Sequence, residues 1–471
     1  AQIAFIHVLA EKTLSDYSSR RSGRPWSIWT SDVKTGQGRR VWIADAGPGS
    51  VFHPTPSATN DYPSATNLFW TNHDDLVFPW EKSGWLHLYA VPMQGGTARA
   101  LTVGKFEVEQ FVFSQDRKRL VYSSAQDDTD RFHIWTVDVE HGSAVRTDQS
   151  HAIEDAPQIG ADGALFALQS DVNQPLHPVV LSAGGQWRRL APEAIPSSFP
   201  SSKLVIPQAV TFTAKDGQET HAQLFLPRET TSKAHPAPAI LFFHGGPQLQ
   251  MMLGFNTDSR EHNWMYAFNQ YLVAEGYIVL SVNYRGSTGY GLDYREANNL
   301  GPGGGSELND IFGAITYLRG RQDVDSHRLG IQGDSYGGLM TELGLARASD
   351  ALAAGVDYAG IYNWSTFLSS VGQPIDGDDA NRRAVESSPI ATIDQWHSPV
   401  LLVKADGDLD VPVQQATALI EDLRSHNIDH EVIMIPNEIH AMSRYSSWMM
   451  LFNAADTYFD RHLDKRSAPT P

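Results

Sequence analysis

From Leu204 onward, near-continuous apolar runs of strand length alternate with amphipathic helical segments, and this alternation limits the fold more than any other feature of the chain. The runs are AILFFHG, YIVLSVNY, RLGIQG, AAGVDYAG, PVLLVKA and HEVIMIP. Between and after them stand NWMYAFNQYLVAEG, ELNDIFGAITYLRG, YGGLMTELGLARAS, VQQATALIEDLRSH and SSWMMLFNAADTYFDRHL. A strand without a polar face must be covered on both sides, and strand–helix alternation does this by forming a mostly parallel sheet. VTFTAKDGQETHAQLFLP precedes it and reads as an antiparallel hairpin turning at Asp216-Gly217. Ligands of such sheets bind at the carboxyl ends of the strands, so the chemistry is expected in the loops that follow them.

Residues 1–204 have another rhythm, with short strands and hardly a helical period. A strand, a polar turn, a second strand, an aromatic-rich third and a short fourth recur. The unit runs LFWTNHDDLVF to WLHLYAVPMQGGTARALT, then FVFSQDRKRLVY to FHIWTVDVEHGSAVRT, then PQIGADGALFAL to PVVLSAGGQWRRL. Leu76, Leu120 and Leu165 hold equivalent places, 44 and 45 residues apart. A four-strand unit of that period predicts β-propeller blades, because one such sheet cannot bury both faces alone. A less regular unit, IAFIH, WSIWTSDV, RRVWIA, comes first and opens on what reads as a second strand. About four blades fit, where a seven-bladed ring needs about 300 residues. The expected layout is therefore a propeller over 1–204, incomplete at its amino-terminal end, and a second domain over 205–471.

Composition narrows the partners. A formal charge of −18 opposes binding to nucleic acid and to anionic membranes, so neither is expected as a partner. With no cysteine there is no disulfide, thiolate metal site or thiol nucleophile. No apolar run approaches the ~18 residues of a membrane span. AQIAFIHVLAEK has neither the basic start nor the long apolar core of a signal peptide. A signal removed upstream leaves no trace, so the compartment stays open, as does homo-oligomerisation.

Gly333-Asp334-Ser335-Tyr336-Gly337-Gly338 follows the strand RLGIQ and opens the helix YGGLMTELGLARAS. G-x-S-x-G between strand and helix is the nucleophile-elbow pattern of α/β-hydrolases, with glycines where the turn is too tight for a side chain. Ser335 is the expected nucleophile. A serine hydroxyl needs a base, and in this fold the chain order is Ser, Asp, His. Asp408 lies 73 residues beyond Ser335, after PVLLVKA, and His440 lies 32 further on, after HEVIMIP. Asp406, Asp408 and Asp410 all stand in one loop, and spacing does not choose among them. Their D-x-D-x-D pattern has Val411 where a calcium loop needs glycine and Thr417 where it needs an acid, so no metal is expected. His244-Gly245-Gly246-Pro247 ends the first long strand. Backbone amides of Gly245 and Gly246, with that of Tyr336, are the candidate oxyanion hole.

These segments together resemble the prolyl oligopeptidase family of serine peptidases, especially its dipeptidyl-peptidase and acylaminoacyl-peptidase branches. His244–Pro247, Asn283-Tyr284-Arg285-Gly286-Ser287-Thr288-Gly289-Tyr290-Gly291, Gly333–Gly338, Asp408-x-x-Val411-Pro412, His440 and the blade segment SGWLHLYAV carry the resemblance. It extends over 204–465 and, more loosely, 67–200. The resemblance selects Asp408, three residues before Val-Pro, and maps an apolar substrate pocket onto Trp364, Phe367 and Val411. It implies no cofactor. Two departures stand out. Lys404-Ala405 replace the family's His-Gly before the aspartate, and Ile439 and Ala441 flank the histidine where a glycine is usual. A tyrosine that serves some members in the oxyanion hole is replaced by His244, which favours backbone donors. The acidic pair that grips a free amino terminus in dipeptidyl peptidases has no identifiable counterpart.

The resemblance implies an enzyme that cleaves short peptides near the amino terminus through an acyl-enzyme. Esterase or other acyl-hydrolase chemistry on the same residues is the alternative, and a non-catalytic propeller scaffold the reading from another class. A histidine base predicts loss of kcat/KM on acidification, with an apparent pKa of roughly 6–7. A propeller roofing the hydrolase loops would also leave folded proteins uncut.

Overall fold

The computed structural model describes residues 1–8, 25–55, 67–182, 184–228, 235–257 and 260–463. They form two units. The first takes the described residues of Ala1–Pro200 together with Gly254–Arg260 and Thr288–Arg295, and the second the remainder.

The first unit contains four antiparallel sheets whose strands lie side by side in chain order. One has three strands, β1 (Gln2–His7), β2 (Ser27–Asp32) and β3 (Gly38–Ile43). The next holds β4 (Phe69–Trp70), β5 (Asp75–Trp80), β6 (His87–Pro92) and β7 (Arg99–Ala100). It is followed by β8 (Val108–Phe113), β9 (Arg119–Ser124), β10 (His133–Asp138) and β11 (Ala144–Arg146), then by β12 (Ile153–Ile159), β13 (Leu165–Asp171), β14 (Gln174–Leu181) and β15 (Trp187–Arg189). Leu76, Leu120 and Leu165 each sit in the second strand of their sheet, as the repeat requires. Each sheet buries its faces against its neighbours. Trp42 of the first sheet packs with Phe78 of the second, Val77 of the second with Tyr122 of the third, and Val121 of the third with Val179 of the fourth. This face-to-face stacking of blades answers the problem that one four-stranded sheet cannot solve alone.

Two later segments belong to this unit by side-chain chemistry that composition does not reveal. Thr257 Oγ1 donates to Asp155 Oδ2 at 3.0 Å. Arg295, 1% exposed in its side chain, lies 2.7 Å from Glu81 and 3.2 Å from Glu107.

The second unit is built on an eight-stranded sheet in the order β16-β17-β19-β18-β20-β21-β22-β23. Its strands are β16 (Gln208–Thr213), β17 (Glu219–Phe225), β18 (Ala237–Phe243), β19 (Ile278–Asn283), β20 (Val324–Asp334), β21 (Ala354–Tyr358), β22 (Val400–Ala405) and β23 (His430–Ile435). The expected hairpin is β16–β17, turning through Gly217 at φ 94°. β17 meets β19 antiparallel, and from there to β23 every pairing is parallel. Every residue of β18, β19, β21 and β22 is buried, which is why these runs are mostly apolar, with Ser281, Asn283, Asp357 and Lys404 as exceptions. The helices are α1 (Arg260–Ala274), α2 (Leu292–Arg295, grouped with the first unit), α3 (Leu308–Arg319), α4 (Tyr336–Arg347), α5 (Trp364–Ser370), α6 (Asp378–Glu386), α7 (Val413–Ser425) and α8 (Tyr445–Leu463). α3, α4 and α7 send Ile311, Leu339 and Leu419 into one core with Leu241, Ile331 and Leu402 of the sheet. Among the described residues, no helix is long and apolar enough to cross a membrane.

Candidate active site

β20 ends at Asp334 and α4 begins at Tyr336, so Ser335 alone makes the turn between them. Its backbone sits at φ 56°, ψ −115°, a conformation costly for any residue with a side chain. The surroundings hold it there. The Ser335 amide donates to the Tyr358 carbonyl at 2.8 Å, and its carbonyl accepts from the Leu339 amide at 3.0 Å. Gly333 and Gly337 close the turn: a Cβ on Gly333 would collide with the carbonyls of Gly337 and Phe243, and one on Gly337 with the Phe243 carbonyl. Both obstacles are backbone and cannot rotate away. Gly337→Ala is therefore expected to destabilise the protein by about 3 kcal/mol, an overpacking cost without a cheap relaxation. Chemical denaturation measures it, and a loss under about 1 kcal/mol would refute the tight turn.

The loop after β22 carries the three candidate aspartates, and the structure separates them. Asp408 is buried, whereas Asp406 and Asp410 are exposed. Asp408 Oδ2 lies 2.8 Å from His440 Nδ1. Asp408 Oδ1 accepts the amides of Asp410 at 3.0 Å and Val411 at 2.9 Å. Asp406 Oδ1 accepts instead from the Asn437 amide at 2.7 Å and so ties its loop to the histidine loop. Burial of Asp408 favours its neutral form, but the bond and charge of His440 and the nearby Lys404 outweigh this and hold it below the ordinary carboxylate value. Burial likewise opposes a charged His440. The bond from Asp408, with the charges of Asp408, Glu261 and Asp410, overcomes it and raises His440 above the usual 6.5.

Three further residues tie these loops together, through contacts that the sequence did not reveal. Tyr358, at the end of β21, accepts from the Ser335 amide through its carbonyl and donates from its hydroxyl to the His440 carbonyl. It thus connects the elbow to the histidine loop, the bond to His440 spanning 82 residues of chain. Glu438 accepts from the Ser443 and Arg444 amides, the Ser443 and Ser447 hydroxyls and the Arg444 guanidinium, which folds the loop around His440. These bonds overcome its burial and lower its carboxyl to about 2. Lys404 places Nζ 2.7 Å from Asp408 Oδ2 and also donates to the Val411 carbonyl. It is the one charged residue in PVLLVKA and stands where the family has His-Gly, and these were its advance signals.

The glycine loop after β18 lies against the elbow. A Cβ on Gly245 would stand 2.6 Å from Asp334 Oδ2 and 3.3 Å from Ser335 Cβ. The buried Asp334 carboxylate thus lies against this loop, and Gly246 turns at φ 122°. The His244 ring faces inward, with Nε2 3.1 Å from Ser287 Oγ, and its carbonyl accepts from the Tyr284 hydroxyl at 2.9 Å. Tyr336 sends its hydroxyl to Glu307 at 2.8 Å and packs its ring 5.7 Å from Trp364. Trp364 meets Phe367 edge-on at 5.6 Å. Trp364 and Val411 are buried in the same core as Tyr336, with Phe367 packed against it. The three expected pocket residues thus gather beside the elbow helix.

Comparison with known proteins bears on this arrangement. Residues 264–466 match the prolyl oligopeptidase family, and residues 51–170 match the dipeptidyl peptidase IV N-terminal region. Dipeptidyl aminopeptidase BIII of Pseudoxanthomonas mexicana is 31% identical over 263 residues, covering 51% of this chain and 36% of that protein. Dipeptidyl-peptidase 5 of Porphyromonas gingivalis is 23% identical over 468 residues, covering 96% of this chain and 58% of that protein. A Mycobacterium tuberculosis puromycin-hydrolyzing peptidase superposes with a TM-score of 0.77 at 20% identity, over 98% of this chain and 69% of that one, a likeness of fold. The chain thus spans between about a third and three-fifths of the length of these curated relatives. A propeller-type first unit thus precedes an α/β-hydrolase second unit, and over residues 264–466 the chain carries the match to the prolyl oligopeptidase family of serine peptidases.

Proposed function

We propose that this chain is a peptidase that releases short amino-terminal fragments, dipeptides or acylated amino acids, from short peptides. Ser335 Oγ attacks the scissile carbonyl while His440 accepts its proton. His440 then protonates the departing amine, and water hydrolyses the acyl-enzyme with His440 again as base. Asp408 holds the imidazole by Nδ1 and stabilises it when charged. The Tyr336 amide and the Gly245–Gly246 loop receive the oxyanion. Trp364, Phe367 and Val411 form the apolar pocket for the residue before the cut.

The observation that carries this reading is the 2.8 Å bond between Asp408 and His440, on a loop tied through Tyr358 to the strained turn at Ser335. The dipeptidyl-peptidase names of the relatives support the amino-terminal preference. A panel of dipeptidyl amides, acyl-amino-acid amides and simple esters tests it. Dipeptidyl or acyl-amino-acid amides are expected to give kcat/KM at least tenfold above the same amides lengthened at the amino terminus. Turnover of esters without any amide would replace the peptidase with an esterase.

A further inference from the structure

Behind the Asp408–His440 pair lies a second set of buried charges. Lys404, on β22, has a side chain 2% exposed, and it bonds the same oxygen, Asp408 Oδ2, that His440 bonds. The two nitrogens, 2.7 and 2.8 Å from that oxygen, lie within 5.5 Å of each other. With the Asp410 and Val411 amides on Oδ1, the carboxylate accepts four bonds. On the strand beside Lys404, Asp357 is buried, accepts the Gly360 amide at 2.9 Å and hydrogen-bonds Glu342 of α4. Burial, and then the charge and bond of Asp357, push the Glu342 carboxyl well up, while burial also raises Asp357, to about 6. The Asp357–Glu342 pair is thus a second buried acidic group that acts on Lys404 through its charge.

We propose that Lys404 is a positioning residue for the reaction: it fixes the Asp408 oxygen that holds His440 and keeps a positive charge beside the imidazole, so the base stays neutral to lower pH than Asp408 and His440 alone would allow. This rests on the reading of Ser335, Asp408 and His440 given above. A carboxylate with only His440 as partner would stabilise the imidazolium with its full charge. One already bonded to an ammonium stabilises it less, and the ammonium itself repels the imidazolium. The other groups that act on this site leave that sign unchanged. Asp410, Glu261 and Asp334 favour the charged ring, and His262 faces Asp334. Tyr358 and Glu438 bond the loop backbone and side chains. Lys404 is thus the cation that offsets this acidic surround, and the departure from the family's His-Gly acquires a function.

The test is the rate at which a fluorophosphonate labels Ser335 between pH 5 and 9, which reads the protonation of the base without a substrate. In the unaltered protein the acid limb is expected above 6.5, in line with the raised His440. Lys404→Met is expected to move it up by about one further pH unit, and to lower the alkaline plateau as well, since the Asp408 oxygen loses a partner that fixes it. Lys404→Met alone leaves the buried Asp357–Glu342 pair without its cation and risks misfolding. The double variant Lys404→Met/Asp357→Asn removes the cation together with one acid of that pair and is expected to shift the limb in the same direction. Coincident limbs in a folded variant, single or double, would overturn the inference and leave Lys404 as a structural ion. No labelling of the unaltered protein at any pH would instead overturn Ser335 as nucleophile, and this inference with it.

Discussion

Ser335→Ala is expected to lower kcat by about 10⁴–10⁶ with the fold intact, and His440→Ala by a similar factor. Nucleophile and base act as one unit, so loss of either leaves only substrate binding and the oxyanion donors to assist attack by water. The fold should tolerate the first change. Alanine has the same Cβ as serine and meets the same backbone strain at φ 56°, while the amide bond to Tyr358 and the carbonyl bond to Leu339 remain. Steady-state kinetics on the best substrate of the panel, with a thermal melt of each variant, measures both parts. Either variant keeping more than a tenth of the activity would remove that residue from the mechanism.

Asp408→Asn is expected to cost about 10³–10⁴ in kcat. The amide offers His440 Nδ1 a donor or a weak acceptor where a carboxylate stood, and so disfavours the tautomer that leaves the other ring nitrogen free to accept the proton. The same change removes the carboxylate charge 2.7 Å from Lys404 and so weakens a buried ion pair. Loss of stability should therefore accompany loss of rate. Asp406→Asn and Asp410→Asn should each cost less than about tenfold, an exposed change remote from the imidazole bond. Asp410 lends its amide to Asp408, which asparagine preserves, and its own charge adds only the last of the influences on His440. Equal losses at Asp408 and Asp410 would contradict the distinction that the structure draws between them.

Much of the second unit was legible because burial on both faces writes itself into composition. AILFFHG, YIVLSVNY and PVLLVKA became fully buried strands, and G-x-S-x-G fell at the single-residue turn where only glycine fits on either side. The blade repeat was legible for a related reason, since each sheet must bury both faces against its neighbours. The short helices α5 and α6 left little trace: WSTFLSS and DDANRRAVE have no sustained apolar stripe. Nor did composition mark Gly254–Arg260 and Thr288–Arg295 as parts of the first unit, because a few buried hydrogen bonds and ion pairs place them there. In the site, spacing brought three aspartates within reach of His440, and the family pattern chose Asp408. Tyr358, Glu438 and the Glu342–Asp357 pair work through contacts between strands and loops distant in sequence, which a linear pattern does not encode. Lys404 was visible as a charge in an apolar strand, but its partner was not.

The central claim is that Ser335 is the nucleophile activated by His440, and covalent labelling tests it most directly. The intact protein is incubated with a fluorophosphonate at pH 8, digested, and the modified residue is located by mass spectrometry. One adduct per chain on Ser335 is predicted, absent from Ser335→Ala and slowed by several orders of magnitude in His440→Ala. An adduct on another serine, or full labelling of Ser335→Ala, would contradict the account.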